Sequence, residues 1–131
     1  MPAAIKLDQV CKQFEDVAAL SNISAAIQPG TLTGLVGPDG AGKTTLMRIM
    51  AALMEPTAGE AIVAGVDVCK DPSAIHELTG YMPQRFGLYE DLSVQHNLNL
   101  YADLRGLVGE ERATTFDRLL AFTNLGPFTR R

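Results

Sequence analysis

A chain of 131 residues with 47% apolar and 20% charged residues has the composition of an ordinary globular protein, and its length suits one domain or part of a larger one. The formal net charge of -4 argues against a nucleic-acid surface, because a protein that binds the phosphate backbone needs a stripe of Lys and Arg, which this sequence lacks. We therefore expect no nucleic-acid partner.

The two cysteines, Cys11 and Cys69, are too far apart in the sequence for a metal-ligand pair and too few for a disulfide framework. Two reduced thiols in a cytosolic protein are expected instead. The N-terminal MPAAIKLDQV has no basic region followed by an apolar one, so no secretory signal is predicted. The longest apolar stretches fall far short of the roughly 20 residues that span a bilayer, which predicts a soluble chain.

The first part of the chain is predicted to form β-strands. Residues 4–14 alternate between apolar and polar side chains, and residues 19–27 partly do the same. Pro29 and Gly30 are a turn signal before the apolar stretch TLTGLVG, residues 31–37. We expect an antiparallel pair of strands that leads into a buried core strand ending at Gly37.

A helix is predicted from about residue 42 to residue 53, because KTTLMRIMAALM has few helix breakers and its apolar residues recur at intervals of three and four. Pro56 stops this helix. The following EPTAGEAIVAGVDV predicts a turn and a short hairpin, with Gly59 and Gly65 as turn residues.

Asp71 and Pro72 predict the capped start of a short helix, and TGYMPQ, residues 79–84, predicts a return to a strand. Ser93 is expected to cap a longer amphipathic helix, and a last helix is expected over residues 110–122. A strand, a Gly-rich loop, a helix, another strand and two helices in this order indicate the α/β class.

The Gly-rich stretch GPDGAGKTT fits the pattern G-x-x-x-x-G-K-[ST] at every fixed position. Glycines let successive backbone N–H groups turn inward around an anion, and the N-terminus of the following helix adds unpaired N–H groups and a partial positive charge. Lys43 can reach the β- and γ-phosphates, and the Thr44 hydroxyl can ligate Mg²⁺. This stretch therefore predicts a nucleoside-triphosphate site that comprises Gly37, Pro38, Asp39, Gly40, Ala41, Gly42, Lys43, Thr44 and Thr45.

Segments on both sides of the loop carry a resemblance to a known family. Upstream, Lys12-Gln13-Phe14 is followed closely by Ala19-Leu20, and downstream GYMPQRFGLYEDLSV covers residues 80–94. With the Gly-rich loop between them, these segments resemble the N-terminal half of an ATP-binding-cassette (ABC) ATPase domain. The resemblance covers essentially all 131 residues.

The resemblance implies an α/β P-loop NTPase fold with an N-terminal antiparallel β part, the P-loop core and the start of a helical subdomain. It implies that Phe14 stacks on adenine, since a flat base gains offset stacking on an aromatic ring, whereas a core phenylalanine on a strand is the alternative. It places Gln84 in the family's Q-loop, where an amide contacts Mg²⁺ and the attacking water and acts in catalysis. ATP and Mg²⁺ are thus the implied ligands.

The stretches YMPQRFGLYEDLSV and NLNLYADLRGL are most similar to the ATPase subunits of ABC-2-type exporters, which drive efflux of drugs, lipids, polysaccharides or ions. This similarity implies ATP hydrolysis by the complete domain and a dimer of two such domains. It also implies a transmembrane permease partner coupled through the Q-loop, and a cytoplasmic position against the inner face of the membrane.

Phosphoryl transfer also needs a carboxylate on Mg²⁺ and a group that activates water, which the family takes from an apolar strand followed by Asp-Glu. In this chain Glu90-Asp91 has the reverse order and Asp67 lacks the glutamate. The family's signature motif and switch histidine are not found either. We therefore expect residues 1–131 to be a partial nucleotide-binding domain, from a truncated chain or gene fragment, that is inactive alone.

In the family, the strand that carries Asp-Glu lies beside the P-loop strand. Without it, Leu32 and Leu35 would face an open sheet edge, so the chain is expected to be marginally stable alone or to self-associate. A second departure is His96, which stands where the family often has the glutamate of a capping box. His96 and His76 are expected to be surface residues.

Two other hypotheses stay open at this point. One is a soluble ABC protein that acts on ribosomes or DNA without a membrane partner, and the other is a nucleotide-binding fragment without hydrolysis. The acidic balance and the exporter-like segment around Gln84 weigh against the first.

Overall fold

The computed structural model describes residues 3–85 and 87–131, which belong to two compact units. The first unit ends at Tyr81 and contains a four-stranded sheet and two helices; the second starts at Met82 and contains two helices and a short 3₁₀ turn. None of the helices in these two ranges is long and apolar enough to cross a lipid bilayer.

The sheet of the first unit is antiparallel throughout, in the order β2-β1-β3-β4. A turn at residues 15–16 joins the two long strands, which confirms the antiparallel pair predicted from the alternating side chains. The strands are β1 (Ile5–Phe14), β2 (Val17–Ile27), β3 (Ala58–Val63) and β4 (Val66–Asp67).

A bulge in β1 decides which of its residues face the core. Leu7 and Val10 are both buried, although strict alternation would place residues three apart on opposite faces. The register of β1 shifts here against both neighbouring strands, and Gln9 has a φ of 48°. The extra residue turns Val10 back towards the core.

Gly59 lies against this bulge from the neighbouring strand. Its φ is +85°, and a Cβ at this position would come closer than 3.0 Å to the carbonyl oxygen of Gln9. Gly59 lies within β3, so its prediction as a turn residue is wrong. Gly65, which does lie in the turn between β3 and β4, confirms the other half of that prediction.

Two helices pack against the sheet and close the core of the first unit. The helix predicted after the Gly-rich loop is confirmed as α1 (Lys43–Met50), which is shorter than expected. Asp71 caps α2 (Pro72–Leu78) as predicted, because its carboxylate accepts a hydrogen bond from the N–H of Ala74 at 3.0 Å. The buried cluster comprises Leu7, Val10, Leu20, Leu46, Ile49, Ala61, Val63, Val68 and Ile75.

Residues 31–37 and 79–84 are not strands, so both strand predictions are wrong. A strand needs a neighbour for its backbone N–H and C=O groups, and neither stretch joins the sheet formed by the described part of the chain. Two short strands that pair only with each other would be marginally stable. Leu32 and Leu35 are consequently exposed, as expected, but in an irregular segment and not at a sheet edge.

In the second unit, the two predicted helices are present and joined by one arginine. Arg112 donates to the carboxylate of Asp103 at 2.5 Å and to the amide oxygen of Asn99 at 2.9 Å, which ties the second helix to the first. The elements of this unit are α3 (Val94–Leu104), α4 (Gly109–Thr123) and the 3₁₀ turn Gly126–Phe128.

The start of α3 shows how the helix is capped without the glutamate of a capping box. Ser93 Oγ accepts from the N–H of His96 at 3.3 Å, which confirms the predicted cap. Two further N–H groups of the first turn donate to carbonyl oxygens of the 129–131 segment, at 2.8 and 2.9 Å. Backbone acceptors therefore satisfy the N–H groups of Val94 and Gln95, which helix ends leave without an intrahelical partner.

We predict that Gly59→Ala destabilises the first unit more than Gly65→Ala does. Both glycines have positive φ, +85° and +83°, so each alanine introduces about 1 to 3 kcal/mol of backbone strain. Only at Gly59 would the Cβ also collide with the backbone of Gln9. We expect a further loss of about 2 kcal/mol there, measured as a lower midpoint of urea unfolding by circular dichroism. Equal midpoints for the two variants would contradict the close approach of β1 and β3.

Candidate functional site

The Gly-rich stretch forms an exposed loop over residues 37–42, directly before α1. A turn at Asp39 and Gly40 is closed by the N–H of Ala41, which donates to the carbonyl oxygen of Pro38 at 3.3 Å. Gly40 and Gly42 have φ values of +78° and +85°, a conformation that other residues rarely adopt. The curvature of the loop thus depends on these two glycines.

Gly42 is also the point at which the loop meets the sheet. A Cβ on Gly42 would come closer than 3.0 Å to the carbonyl oxygen of Ala19 and would lie 2.8 Å from Leu20 Cδ2, both on β2. Leu20 is buried in the core and cannot move aside freely. The positive φ and the close contact therefore each require glycine at position 42.

The N-terminus of α1 offers hydrogen-bond donors to a ligand. No side chain caps this helix, and its first turn contains no acidic residue. The N–H groups of the first turn are therefore not used by the chain's own side chains, and the helix dipole makes them favourable for an anion. Lys43, Thr44 and Thr45 begin the helix; Thr44 is exposed, whereas the other two are half-buried.

Lys43 lies across the loop. Its ammonium donates to the carbonyl oxygens of Gly37 at 2.7 Å and Pro38 at 2.6 Å. These bonds hold the first residues of the loop close to the first residue of α1. The structure thus brings Gly37 and Pro38 close to Lys43 at the start of α1.

Phe14 is the last residue of β1, on the same hairpin as the strand that supports Gly42. It is 42% exposed and not part of the buried cluster, so the alternative of a core phenylalanine is wrong. The ammonium of Lys12 lies 5.3 Å from the centroid of the ring. An exposed ring at this position is suited to stack on a flat base.

Gln84 belongs to the second unit and is exposed in a bend. The stretch around it that resembles a Q-loop also contains Phe86, which lies outside the described residues. Gln84 thus belongs to a different unit from the Gly-rich loop.

Asn97 organises the turn that follows Gln84. This buried side chain accepts from the N–H of Tyr89 at 2.9 Å and donates to the carbonyl oxygens of Tyr89 and Leu92 at 2.9 and 3.0 Å. Sequence reasoning missed this role, because a lone asparagine in an amphipathic helix carries no signal. The cost of leaving a buried amide unpaired makes this network a strong constraint on the turn.

An apolar pocket of about 390 Å³ lies beside this turn within the second unit. Its wall is formed by α3 and the segment before it, so Asn97 also shapes the pocket. The main apolar side chains that line it are Leu88, Leu92, Val94, Leu98, Tyr101 and Leu125.

The carboxylates considered for catalysis have other places in the structure. Asp67 accepts from the N–H of Cys69 and from the ammonium of Lys70, each at 2.9 Å, and the hydrogen bond from Lys70 lowers the pKa of Asp67. Glu90 and Asp91 are exposed in a turn. Over residues 3–85 and 87–131, no group of three or more His, Cys, Asp or Glu side chains could hold a metal ion.

The remaining candidate for a metal ligand near the loop is the Thr44 hydroxyl. Mg²⁺ usually takes only one or two protein ligands when phosphate oxygens and waters supply the others. An exposed hydroxyl at the start of the helix after the loop fits that requirement, so the residues present are compatible with Mg²⁺ bound together with a triphosphate.

Comparisons with known proteins agree on one family. The family model described as ABC transporter matches residues 20–131. The chain is 56% identical over 131 residues to the probable multidrug ABC transporter ATP-binding protein YbhF of Escherichia coli, covering 98% of this chain and 23% of that protein. It is 36% identical over 117 residues to the daunorubicin resistance ATP-binding protein DrrA3 of Streptomyces coeruleorubidus, covering 89% of this chain and 37% of that protein.

Solved structures show the same likeness. A bacterial ABC transporter cassette in a dimeric structure matches with a TM-score of 0.82 and 27% identity, over 97% of this chain and 60% of that one. A cassette in a post-hydrolysis state bound to ADP and Pi matches with a TM-score of 0.80, 26% identity and the same coverage. These likenesses confirm the predicted fold class, an α/β P-loop fold of the ABC ATPase type.

We predict that Gly42→Ala detaches the loop from β2, whereas Gly40→Ala does not. The two glycines have similar φ, but a Cβ at Gly40 meets nothing within 4 Å. The N–H of Leu46 donates to the carbonyl oxygen of Gly42 at 2.9 Å and reports on this contact. We expect hydrogen exchange at Leu46, followed by NMR, to be at least roughly 10-fold faster in Gly42→Ala than in Gly40→Ala. The same exchange rate in both variants would show that the contact with Ala19 does not anchor the loop.

Proposed function

Since the chain belongs to the ABC transporter family, we propose that it is the ATP-binding part of a transporter that drives export across a membrane. The observation that carries the proposal is the loop seated on β2 by Gly42 and spanned by Lys43, at the uncapped start of α1. The chain spans 23% of the E. coli relative and 37% of the Streptomyces relative, so transport is proposed for the complete protein.

In the proposed complex, the triphosphate of ATP lies in the loop formed by residues 37–42. Backbone N–H groups of the loop and of the first turn of α1 donate to the phosphate oxygens. Lys43 adds a positive charge, and Thr44 and Thr45 add hydroxyl donors at the start of the helix. Phe14 stacks on the adenine, which the exposure of its ring supports.

Mg²⁺ would be held by the Thr44 hydroxyl, and when bound it would neutralise charge on the β- and γ-phosphates. The Gln84 amide has both an acceptor and donors, which suits the metal- and water-contacting role that the family resemblance implies for it. We assign catalysis of hydrolysis to a complete domain, of which residues 1–131 are a part that carries the P-loop and the Q-loop. The dimeric cassette among the similar structures supports a second ATPase domain as a partner.

The proposed membrane partner is a transmembrane permease that docks on the second unit. The apolar pocket of about 390 Å³ in this unit supports the proposal, because it lies on the segment that follows Gln84. A permease would hold the ATPase at the cytoplasmic face of the membrane. Export of drug-like compounds is proposed from the multidrug and daunorubicin-resistance relatives.

The proposal predicts that the 131-residue chain binds Mg-ATP and that Lys43→Ala abolishes this binding in titration calorimetry. The alanine removes both the charge on the phosphates and the bonds that hold the loop closed, so we expect affinity to fall by at least roughly 100-fold. Lys6→Ala is the matched control, because Lys6 is an exposed lysine on β1 with only a 4.0 Å contact to Asp8.

Saturable binding that survives Lys6→Ala and is lost in Lys43→Ala would support the assignment of the loop. Binding that is equally strong in Lys43→Ala would contradict it. Binding that falls equally in both lysine variants would indicate a general charge effect and would also count against a specific phosphate site.

A further inference from the structure

We propose that Lys12 is a positioning residue of the nucleobase site, which holds the Phe14 ring in the orientation that receives the base. The inference rests on the proposed function, because it deepens the role given there to Phe14. It concerns a residue to which the sequence pattern assigned no role and which makes contact with both the ring and the segment after α1.

The ammonium of Lys12 is fixed between two partners. It donates to the carbonyl oxygen of Glu55 at 2.8 Å, and it lies 5.3 Å from the centroid of the Phe14 ring. A cation over an aromatic face is attracted by the negative face of the ring. Since the carbonyl of Glu55 holds the cation in place, the attraction favours one orientation of the ring.

Phe14 benefits from such a partner because its side chain is only partly covered by the chain. It is the last residue of β1, adjacent to the turn at residues 15–16, and is 42% exposed. An exposed side chain retains rotamer freedom that must be lost when a base stacks on it. A ring held before the ligand arrives loses less freedom on binding, which strengthens the part of the affinity that depends on the base.

Neighbouring bonds show that the support of Lys12 is itself rigid. The N–H of Thr57 donates to the carbonyl oxygen of Cys11 at 2.8 Å, and the N–H of Gln13 donates to Thr57 Oγ1 at 3.0 Å. The segment that carries Glu55 is thereby attached to the same stretch of β1 that carries Lys12. These bonds therefore hold the carbonyl group of Glu55 beside β1.

The attachment also fixes the distance between the base and the phosphates. Gly42, at the start of α1, is seated on β2, and residues 55–57, after the end of α1, are bonded to β1. Both ends of the helical segment are thus held by one hairpin, whose last residue before the turn is Phe14. Lys12 connects the segment after α1 to the Phe14 ring.

The test is titration calorimetry of the 131-residue chain with ATP and, separately, with inorganic tripolyphosphate, which has no base. Lys12→Met keeps the aliphatic stem but removes the cation, and we expect it to weaken ATP binding roughly fivefold while tripolyphosphate binding stays within about twofold of the unmutated chain. Lys12→Arg keeps a cation and donors and is expected to restore ATP affinity to within about twofold. Lys6→Met is the control for a lost surface charge on the same strand and is expected to change neither ligand.

A double-mutant cycle with Phe14→Ala separates this inference from the proposed function. Phe14→Ala is expected to weaken ATP but not tripolyphosphate, and Lys12→Met is expected to add no further loss in that background. If Phe14→Ala weakens ATP and Lys12→Met does not, the role of Lys12 is overturned and the base platform stands. If Lys12→Met weakens both ligands equally, Lys12 acts on the fold or the phosphates and the inference is wrong.

Two other outcomes concern the proposed function itself. If Phe14→Ala leaves ATP binding unchanged, Phe14 is not the base platform, and the inference about Lys12 is overturned with it. If the unmutated chain binds tripolyphosphate and ATP with equal affinity, the base adds nothing to binding. The assignment of Phe14 as the base platform and that of Lys12 as its positioning residue are then both contradicted.

Discussion

The approach of the Gly42 backbone to the carbonyl oxygen of Ala19 is the constraint on which the rest of the site depends. Only glycine fits there, since the lack of space for a Cβ excludes a side chain and the positive φ disfavours one further. The contact places the start of α1 on β2, and Leu46 and Ile49 then anchor the helix in the core. The sheet therefore sets the position of the end of the Gly-rich loop at Gly42.

The β1–β2 hairpin is a common frame for the two parts of the proposed nucleotide site, the Gly-rich loop and Phe14. β2 supports the loop at Gly42, while β1 carries Phe14 and is bonded to the segment after α1. The hairpin is in turn fixed by the bulge at Gln9, which turns Val10 into the core and requires Gly59 on the adjacent strand. Three separate stretches of sequence are thus adapted to one another through backbone contacts.

The sequence predicts those parts of the structure that depend on contacts between residues close in sequence. Asp71 and Ser93 were recognised as caps because a cap acts on N–H groups two or three residues away. The loop conformation of the Gly-rich stretch is predictable for the same reason, since its turn and its two glycines of positive φ lie within one short segment. The apolar stretch after the turn signal at Pro29 and Gly30 predicts a strand over residues 31–37, but a strand also needs a hydrogen-bonding neighbour, which the local sequence does not reveal. The contact of Gly59 with β1 and the bonds of Lys12 and Asn97 join positions distant in sequence or buried in a turn, and were missed for that reason.

Because residues 31–37 do not form a strand, Lys43 has a structural role in addition to its charge. No sheet holds the start of the loop in the described structure of the first unit, so the bonds from the Lys43 ammonium to Gly37 and Pro38 keep it beside α1. An ammonium has three N–H donors, and these bonds use two of them. In the proposed complex the third donor serves a phosphate oxygen, so the lysine binds the triphosphate without releasing the loop. An arginine could not replace it in this way. The N–H donors of a guanidinium lie in one plane on several nitrogen atoms, whereas the three N–H donors of an ammonium diverge from one nitrogen towards two carbonyls and a phosphate.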